Sequence, residues 1–134
     1  MFYRKSNFAF LFFTLIILIN CGGNKSTNII NNRAPAIPSN PLPANGATNV
    51  SVNTDINWSC SDPDRDSLSY DIYFGVNTPP PLVKGNNTQP NYDLEKLENN
   101  RVYYWKVIAK DGHQNSSASP IWNFTTGSTV LYIG

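Results

Sequence analysis

Residues 97–110 read LENNRVYYWKVIAK, and this stretch decides the fold. Its second half alternates between two sets of side chains, and one set is apolar or aromatic throughout: Tyr103, Trp105, Val107 and Ala109. Because successive side chains of a β-strand point to opposite faces, the alternation predicts a half-buried strand. The Asp111-Gly112 pair that follows is typical of a turn, so we expect the strand to end there.

Working outward, the same period of two recurs in residues 56–60 and 68–74, and residues 121–125 predict a last strand. Turn residues separate these segments, among them Asn45-Gly46 and the prolines of residues 78–81. No segment has a useful helical period. Short strands divided by turns predict an all-β, immunoglobulin-like antiparallel β-sandwich of about seven strands.

Three features of the predicted strands stand out: a tryptophan on the second, an aromatic and aliphatic alternation on the third, and a leucine six residues before a tyrosine, namely Trp58, Tyr70-x-Ile72-x-Phe74, and Leu97 with Tyr103. In these features residues 41–127 resemble a fibronectin type III domain. The resemblance implies that the hydroxyl of Tyr103 bonds backbone groups at the corner between the sheets while its ring fills the core. That family is a scaffold for spacing and binding, and it implies no chemistry of its own.

The first twenty residues have the composition of an export signal. Arg4 and Lys5 precede an almost wholly apolar run at residues 8–19. Twelve residues of helix cover about 18 Å at ~1.5 Å per residue. A spanning helix needs about 20 apolar residues, so we expect a helical signal peptide rather than a permanent anchor.

The apolar run ends in Leu18-Ile19-Asn20-Cys21, which resembles the bacterial lipobox. The resemblance implies that residues 1–20 are a lipoprotein signal peptide, and that Cys21 receives fatty acyl chains and attaches the mature protein to a membrane. It therefore implies a bacterial cell envelope. Gly22 follows the cysteine where an Asp favours inner-membrane retention in some bacteria, so outer-membrane placement is favoured.

The mature chain divides into three parts by composition. Residues 21–40 are rich in Gly, Asn, Ser and Pro without an apolar period, and we expect a lipidated cysteine with a flexible tether. Residues 41–127 form the predicted domain, and residues 128–134 a C-terminal tail.

The charge balance excludes one class of partner. The chain has 10 basic and 9 acidic side chains, and removal of Arg4 and Lys5 with the leader leaves eight against nine. Nucleic-acid binding needs clustered Lys and Arg that displace counterions, so we expect no nucleic-acid partner.

An acidic loop is the sharpest local signal. Asp62, Asp64 and Asp66 alternate along the chain, and the predicted sandwich brings Asp111 to the same end. Alternate carboxylates are common in calcium loops, because Ca²⁺ prefers several oxygen ligands. The alternative is an ordinary polar turn, which Asp-Pro-Asp also favours, and Arg65 places a cation within the cluster. Calcium is the one cofactor that the sequence suggests.

A second candidate site is aromatic. Tyr73 and Tyr104 fall on the outward positions of neighbouring predicted strands, so they lie side by side on the exposed sheet. They suit binding to sugar rings or a protein surface. The alternative is that such aromatic pairs only stabilise the sheet, by about 0.2–1 kcal/mol.

Catalysis has little support in the sequence. His113 is the one histidine, and Ser116 and Ser117 nearby are ordinary loop residues. Cys60 is expected to be a small core residue on a strand, out of reach as a nucleophile. We expect no enzyme but a module for adhesion, spacing or recognition of an envelope protein or polysaccharide. A carbohydrate-binding accessory module and a calcium-stabilised adhesive module are the alternatives.

Overall fold

The computed structural model describes residues 31–128, which form two β-sheets packed as a sandwich. The strands of this described range, in chain order, are β1 (Ser39–Leu42), β2 (Ala47–Val50), β3 (Ile56–Ser59), β4 (Ser69–Gly75), β5 (Leu82–Asn87), β6 (Asn91–Tyr92), β7 (Val102–Lys110), β8 (Ser116–Ala118) and β9 (Trp122–Thr126). The predicted fold class is confirmed. The described range has nine strands where about seven are expected, and the excess consists of short strands of two to four residues.

The smaller sheet has the order β1-β3-β6, and the larger sheet has the order β2-β9-β7-β4-β5, with β8 also paired to β7. All pairs are antiparallel except β2 with β9, which is parallel and departs from the expected antiparallel pattern. The cause is a change of sheet between β1 and β2. Pro43 lacks an N–H to continue the ladder of β1, and a turn in which Ala47 N donates to Ala44 O starts β2 on the other sheet.

Aromatic side chains from both sheets fill the core. The ring of Trp105, fully buried on β7, lies 4.7 Å from that of Trp122 and 6.4 Å from that of Trp58. Tyr103 stacks on Phe74 with 5.2 Å between ring centroids. The predicted alternations are confirmed, since the inward residues of the central strands are buried: Tyr70, Ile72, Tyr103, Trp105, Val107 and Ala109.

Tyr103 has the role that the resemblance implies for it at the corner between the sheets. Its hydroxyl oxygen accepts a hydrogen bond from the backbone N–H of Glu98 at 3.0 Å, and its ring is 7% exposed. Leu97 packs against the core, and its N–H donates to the carbonyl of Val52 at 2.8 Å. One hydroxyl thus fixes the loop before β7 without leaving a buried polar group unpaired.

Cys60 departs from its predicted position. It packs against the core as expected, but it is only half-buried and lies one residue beyond the end of β3. Its thiol donates to the carbonyl of Ala36 at 3.2 Å. Burial raises the pKa of this thiol, so it remains protonated at neutral pH.

The folded part begins earlier than residue 41. Strand β1 starts at Ser39, and residues 32–38, the N-terminal segment, already contact the sandwich. Pro35 and Pro38 are buried, and Ala36 N donates to Ser61 O at 2.9 Å. Residues 32–40 are therefore not a tether in this structure. Proline rings and backbone groups make these contacts, and neither leaves an apolar period in the sequence.

Residues 1–30 and 129–134 lie outside the described range. The predicted signal peptide, the lipidation of Cys21 and most of the predicted tail therefore remain predictions. Within residues 31–128, no helix has the length and apolar character needed to cross a membrane.

Candidate functional site

Two loops meet at one end of the sandwich, which we call the acidic end: residues 60–68 after β3 and residues 111–115 after β7. Ligand atoms of Asp62, Asp64 and Asp66 lie within 4.8 Å of one another. The same limit holds for Asp66, Asp111 and His113. The structure therefore brings all four predicted carboxylates to one place.

The first loop is shaped by Asp62. Its Oδ1 accepts from the backbone N–H groups of Asp64 at 2.7 Å and Asp66 at 3.3 Å, as in an Asx turn. Arg65 has a φ of 67°, and its N–H donates to the carbonyl of Asp62 at 3.2 Å. These bonds explain the Asp-Pro-Asp sequence as a turn.

The second loop is organised by Asp111, which is only 3% exposed. Its Oδ1 accepts from the backbone N–H groups of His113 at 2.7 Å and Asn115 at 3.2 Å. Burial opposes ionisation of Asp111, but the hydrogen bonds donated by His113, Asn115 and Asn32 outweigh it and lower the pKa of this carboxyl. Asp111 is therefore an ionised, fully hydrogen-bonded anchor of its loop.

The N-terminal segment supplies two residues to the acidic end that sequence reasoning missed. Arg33 donates to Asp64 from its backbone N at 2.7 Å and from Nε and Nη2 at 3.0 and 2.8 Å. Asn32 Nδ2 donates to Asp111 Oδ2 at 2.6 Å. The hydrogen bonds from Arg33, together with its charge, lower the pKa of Asp64. Arg33 and Asp64 are 31 positions apart, and no local sequence pattern predicts their contact.

Two carboxylate oxygens at the acidic end have no hydrogen-bond partner in the described range. Asp62 Oδ2 and Asp66 Oδ2 are both buried, and Asp66 Oδ2 lies 3.4 Å from His113 Nδ1. Unpaired buried carboxylate oxygens are costly, and a cation is one means of offsetting that cost. Since the guanidinium of Arg33 engages Asp64, it competes with any metal cation for that carboxylate.

Tyr73 and Tyr104 lie half-buried on the outer face of the larger sheet, on the neighbouring strands β4 and β7. They are not directly opposed, because Tyr73 pairs with Lys106 and Tyr104 pairs with Gly75. Lys106 Nζ lies 4.6 Å from the centroid of the Tyr73 ring. The outer face therefore presents two tyrosines in a diagonal relation, with an ammonium group over one of them.

Asp71 belongs to this outer face and not to the acidic end. Its Oδ1 accepts from Lys110 Nζ at 2.7 Å and from the backbone N–H of Asn86 at 3.0 Å. Burial opposes ionisation of Asp71, but the bonds from Lys110 and Asn86 outweigh it and lower its pKa. Asp71 thereby joins β4 to both neighbours, β5 and β7.

A groove of about 580 Å³ lies beside β1, lined among others by Leu42, Asn57, Trp58 and Trp122. Both tryptophans are only 5% exposed. They offer almost no ring face to a ligand, so the groove lacks the aromatic platform on which a sugar ring stacks. The outer face with Tyr73 and Tyr104 is the better aromatic surface.

Comparison with known proteins gives the fold its name. No protein-family model and no curated protein matches this chain. Solved structures do match. An Fn3-like protein from Clostridium thermocellum is 20% identical with a TM-score of 0.51, and the match covers 72% of this chain and 97% of that one. The fold is fibronectin type III-like.

A second solved structure, described as a myokine, is 22% identical with a TM-score of 0.52, and the match covers 71% of this chain and all of that one. Identities this low concern the fold alone. A fold of this kind carries many different roles, so the role of this module depends on the chain's own residues.

Proposed function

We propose that this chain is a lipid-anchored envelope protein with a non-catalytic fibronectin type III-like module for adhesion, spacing or partner recognition. The sequence Leu18-Ile19-Asn20-Cys21 after a short apolar run is the observation that carries the proposal. One acyl chain binds a membrane only marginally at about 0.8 kcal/mol per buried CH₂, so two or three chains on Cys21 are needed for stable attachment.

The anchor is tested by replacing Cys21 with Ser in the full-length protein and following palmitate incorporation and membrane fractionation. We expect the wild-type chain to incorporate palmitate and to sediment entirely with membranes. The Cys21→Ser variant is expected to incorporate none. The matched control is Cys60→Ser, which leaves lipidation unchanged. Equal labelling of wild type and Cys21→Ser would contradict the proposal.

The proposed module is non-catalytic, and the contacts of His113 support this part of the proposal. Its backbone N–H donates a hydrogen bond to Asp111, and its exposed ring faces Asp66. A Ser or Cys nucleophile activated by His113 would have to be hydrogen-bonded to its imidazole. The thiol of Cys60 instead donates to the carbonyl of Ala36, and the hydroxyl of Ser117 donates to the carbonyl of Pro35.

The outer face is the proposed contact surface for an envelope protein or a polysaccharide. Tyr73 and Tyr104 supply flat apolar rings, and Lys106 supplies a charge next to them. Rings that combine an apolar body with a polar tip are enriched at binding interfaces.

Replacing both Tyr73 and Tyr104 by Ser is expected to abolish crosslinking of the protein to its partner in intact cells. The free energy of unfolding should fall by about 1–2 kcal/mol at most, since the rings are half-buried on a solvent-facing sheet surface. Crosslinking yield and urea unfolding are measured together. Retained crosslinking, or a stability loss well above that range, would show that the tyrosines serve the sheet alone. Val102→Ser on the same face is the control.

A calcium-stabilised adhesive module is the second candidate, and the buried oxygens Asp62 Oδ2 and Asp66 Oδ2 favour it. Calcium takes about six to eight oxygen ligands at roughly 2.3–2.6 Å. In this arrangement Asp62, Asp64, Asp66 and Asp111 would all be needed, and Arg33 would have to release Asp64.

The calcium candidate predicts a melting temperature that depends on the ion. At ten times its Kd, calcium adds about 1.4 kcal/mol of stability, which raises the melting temperature of a domain this size by roughly 6–11 °C. We expect Arg33→Ala to bind calcium more tightly than wild type because Asp64 is freed. Calorimetry showing no heat and no shift for either protein at millimolar calcium would end this candidate.

A further inference from the structure

We propose that the acidic end of the sandwich faces the lipid headgroups and that the opposite end points away from the membrane. The opposite end includes residues 51–55 before β3, residues 76–81 between β4 and β5, and residues 93–101 before β7. This inference rests on the proposed lipid at Cys21 and adds the orientation of the module, which determines the surfaces open to a partner.

The point at which the chain leaves the sandwich carries the argument. Arg33 is fixed to Asp64 by three hydrogen bonds, and Asn32 is fixed to Asp111 by one. Further along the segment, Ala36 N donates to Ser61 O. Every one of these acceptors belongs to the acidic end. The N-terminal segment therefore leaves the sandwich at the acidic end.

The number of residues between the lipid and Asn32 limits the geometry. Residues 22–31 are ten in number and span at most about 33–36 Å when fully extended. The nine residues of β7 extend about 30 Å from one end of the sandwich to the other. Bringing the opposite end to the bilayer would require those ten residues to run almost straight along the whole module. The limited reach of these ten residues therefore favours the acidic end as the end nearest the lipid.

The charge of the acidic end determines how closely this end approaches the lipid headgroups. Four carboxylates lie at this end, those of Asp62, Asp64, Asp66 and Asp111, against the two guanidinium groups of Arg33 and Arg65, so carboxylates exceed guanidinium groups by two. Anionic headgroups repel such a surface within a Debye length of about 8–10 Å. The acidic end is thus expected to face the headgroups across a layer of water and not to insert.

The outer face and the opposite end are then the surfaces open to a partner. Strand β7 runs from the opposite end to the acidic end, so in the proposed orientation Tyr104, near its start, lies farther from the bilayer than Lys110 at its end. A partner held in the envelope above the membrane would approach Tyr104 first.

The test uses the full-length lipoprotein in vesicles that contain a headgroup-labelled acceptor lipid. A fluorescent amino acid replaces either His113, which is exposed at the acidic end, or Asn53, which is exposed at the opposite end. Energy transfer to the acceptor lipid reports which end is nearer. We expect clearly greater transfer from position 113 than from position 53. In the double variant Asn32→Ala with Arg33→Ala, the difference is expected to narrow because the segment is released.

The same vesicles separate failure of the orientation from failure of the anchor. If the wild-type protein does not stay on vesicles, the lipid on Cys21 is refuted. The thiol of Cys21 is then coupled to a maleimide lipid in a Cys60→Ser background, and transfer is measured as before. Equal transfer from the two positions, or greater transfer from position 53, overturns the orientation by either route of attachment.

Discussion

The Trp105→Ala variant is expected to lose about 3–5 kcal/mol of its free energy of unfolding. The ring is fully buried between those of Trp58 and Trp122, one from each sheet, so its removal opens a cavity at the centre of the sandwich. Small domains have a total stability of about 5–15 kcal/mol, so the variant should be near the limit of folding at 37 °C.

Urea unfolding followed by fluorescence measures this loss, with Tyr104→Ala as the control. Tyr104 adjoins Trp105 on β7 but points to the outer face and is only half-buried. We expect it to cost well under half as much. A loss below about 1 kcal/mol for Trp105→Ala would mean that the two sheets do not pack as described.

The Tyr103→Phe variant is expected to lose about 1–3 kcal/mol, because the backbone N–H of Glu98 is left without its acceptor. The ring remains, so its stacking on Phe74 is unchanged. Tyr104→Phe removes a hydroxyl from the outer face of the same strand and should cost less than about 0.5 kcal/mol.

Equal effects of the two Tyr→Phe changes would contradict the corner role of Tyr103. Hydrogen exchange gives a second readout. The amide of Glu98 should exchange faster in Tyr103→Phe, while the amide of Val107, which donates to Ser119 Oγ at 3.0 Å, should not change.

The strands were predictable because their signal is local. Alternation in residues 103–109 requires only that one face of a strand be buried, and the structure confirms that face residue by residue. The register between strands is not local in this sense. The alternation predicts the outer face for Tyr73 and Tyr104 correctly, but it does not predict that Tyr73 pairs with Lys106.

At the acidic end, the sequence predicts some of the contacts and not others. The topology of a sandwich sufficed to bring Asp111 near Asp66. The partners from the N-terminal segment were missed, because Arg33 and Asn32 lie in a stretch whose Pro and Asn content is that of a linker. Their contacts are made by a guanidinium, an amide and backbone groups, which need no periodic pattern. Two of the carboxylates predicted to bind calcium, Asp64 and Asp111, accept hydrogen bonds from this N-terminal segment.

The most direct test of the account is mass spectrometry of the N-terminal peptide from the protein isolated from its native membranes. We expect a mature chain that begins at Cys21, with diacylglycerol joined to its Sγ and a mass that fits two or three acyl chains. A chain that retains residues 1–20, or one that begins at Cys21 with an unmodified thiol, would contradict the proposed attachment to the membrane.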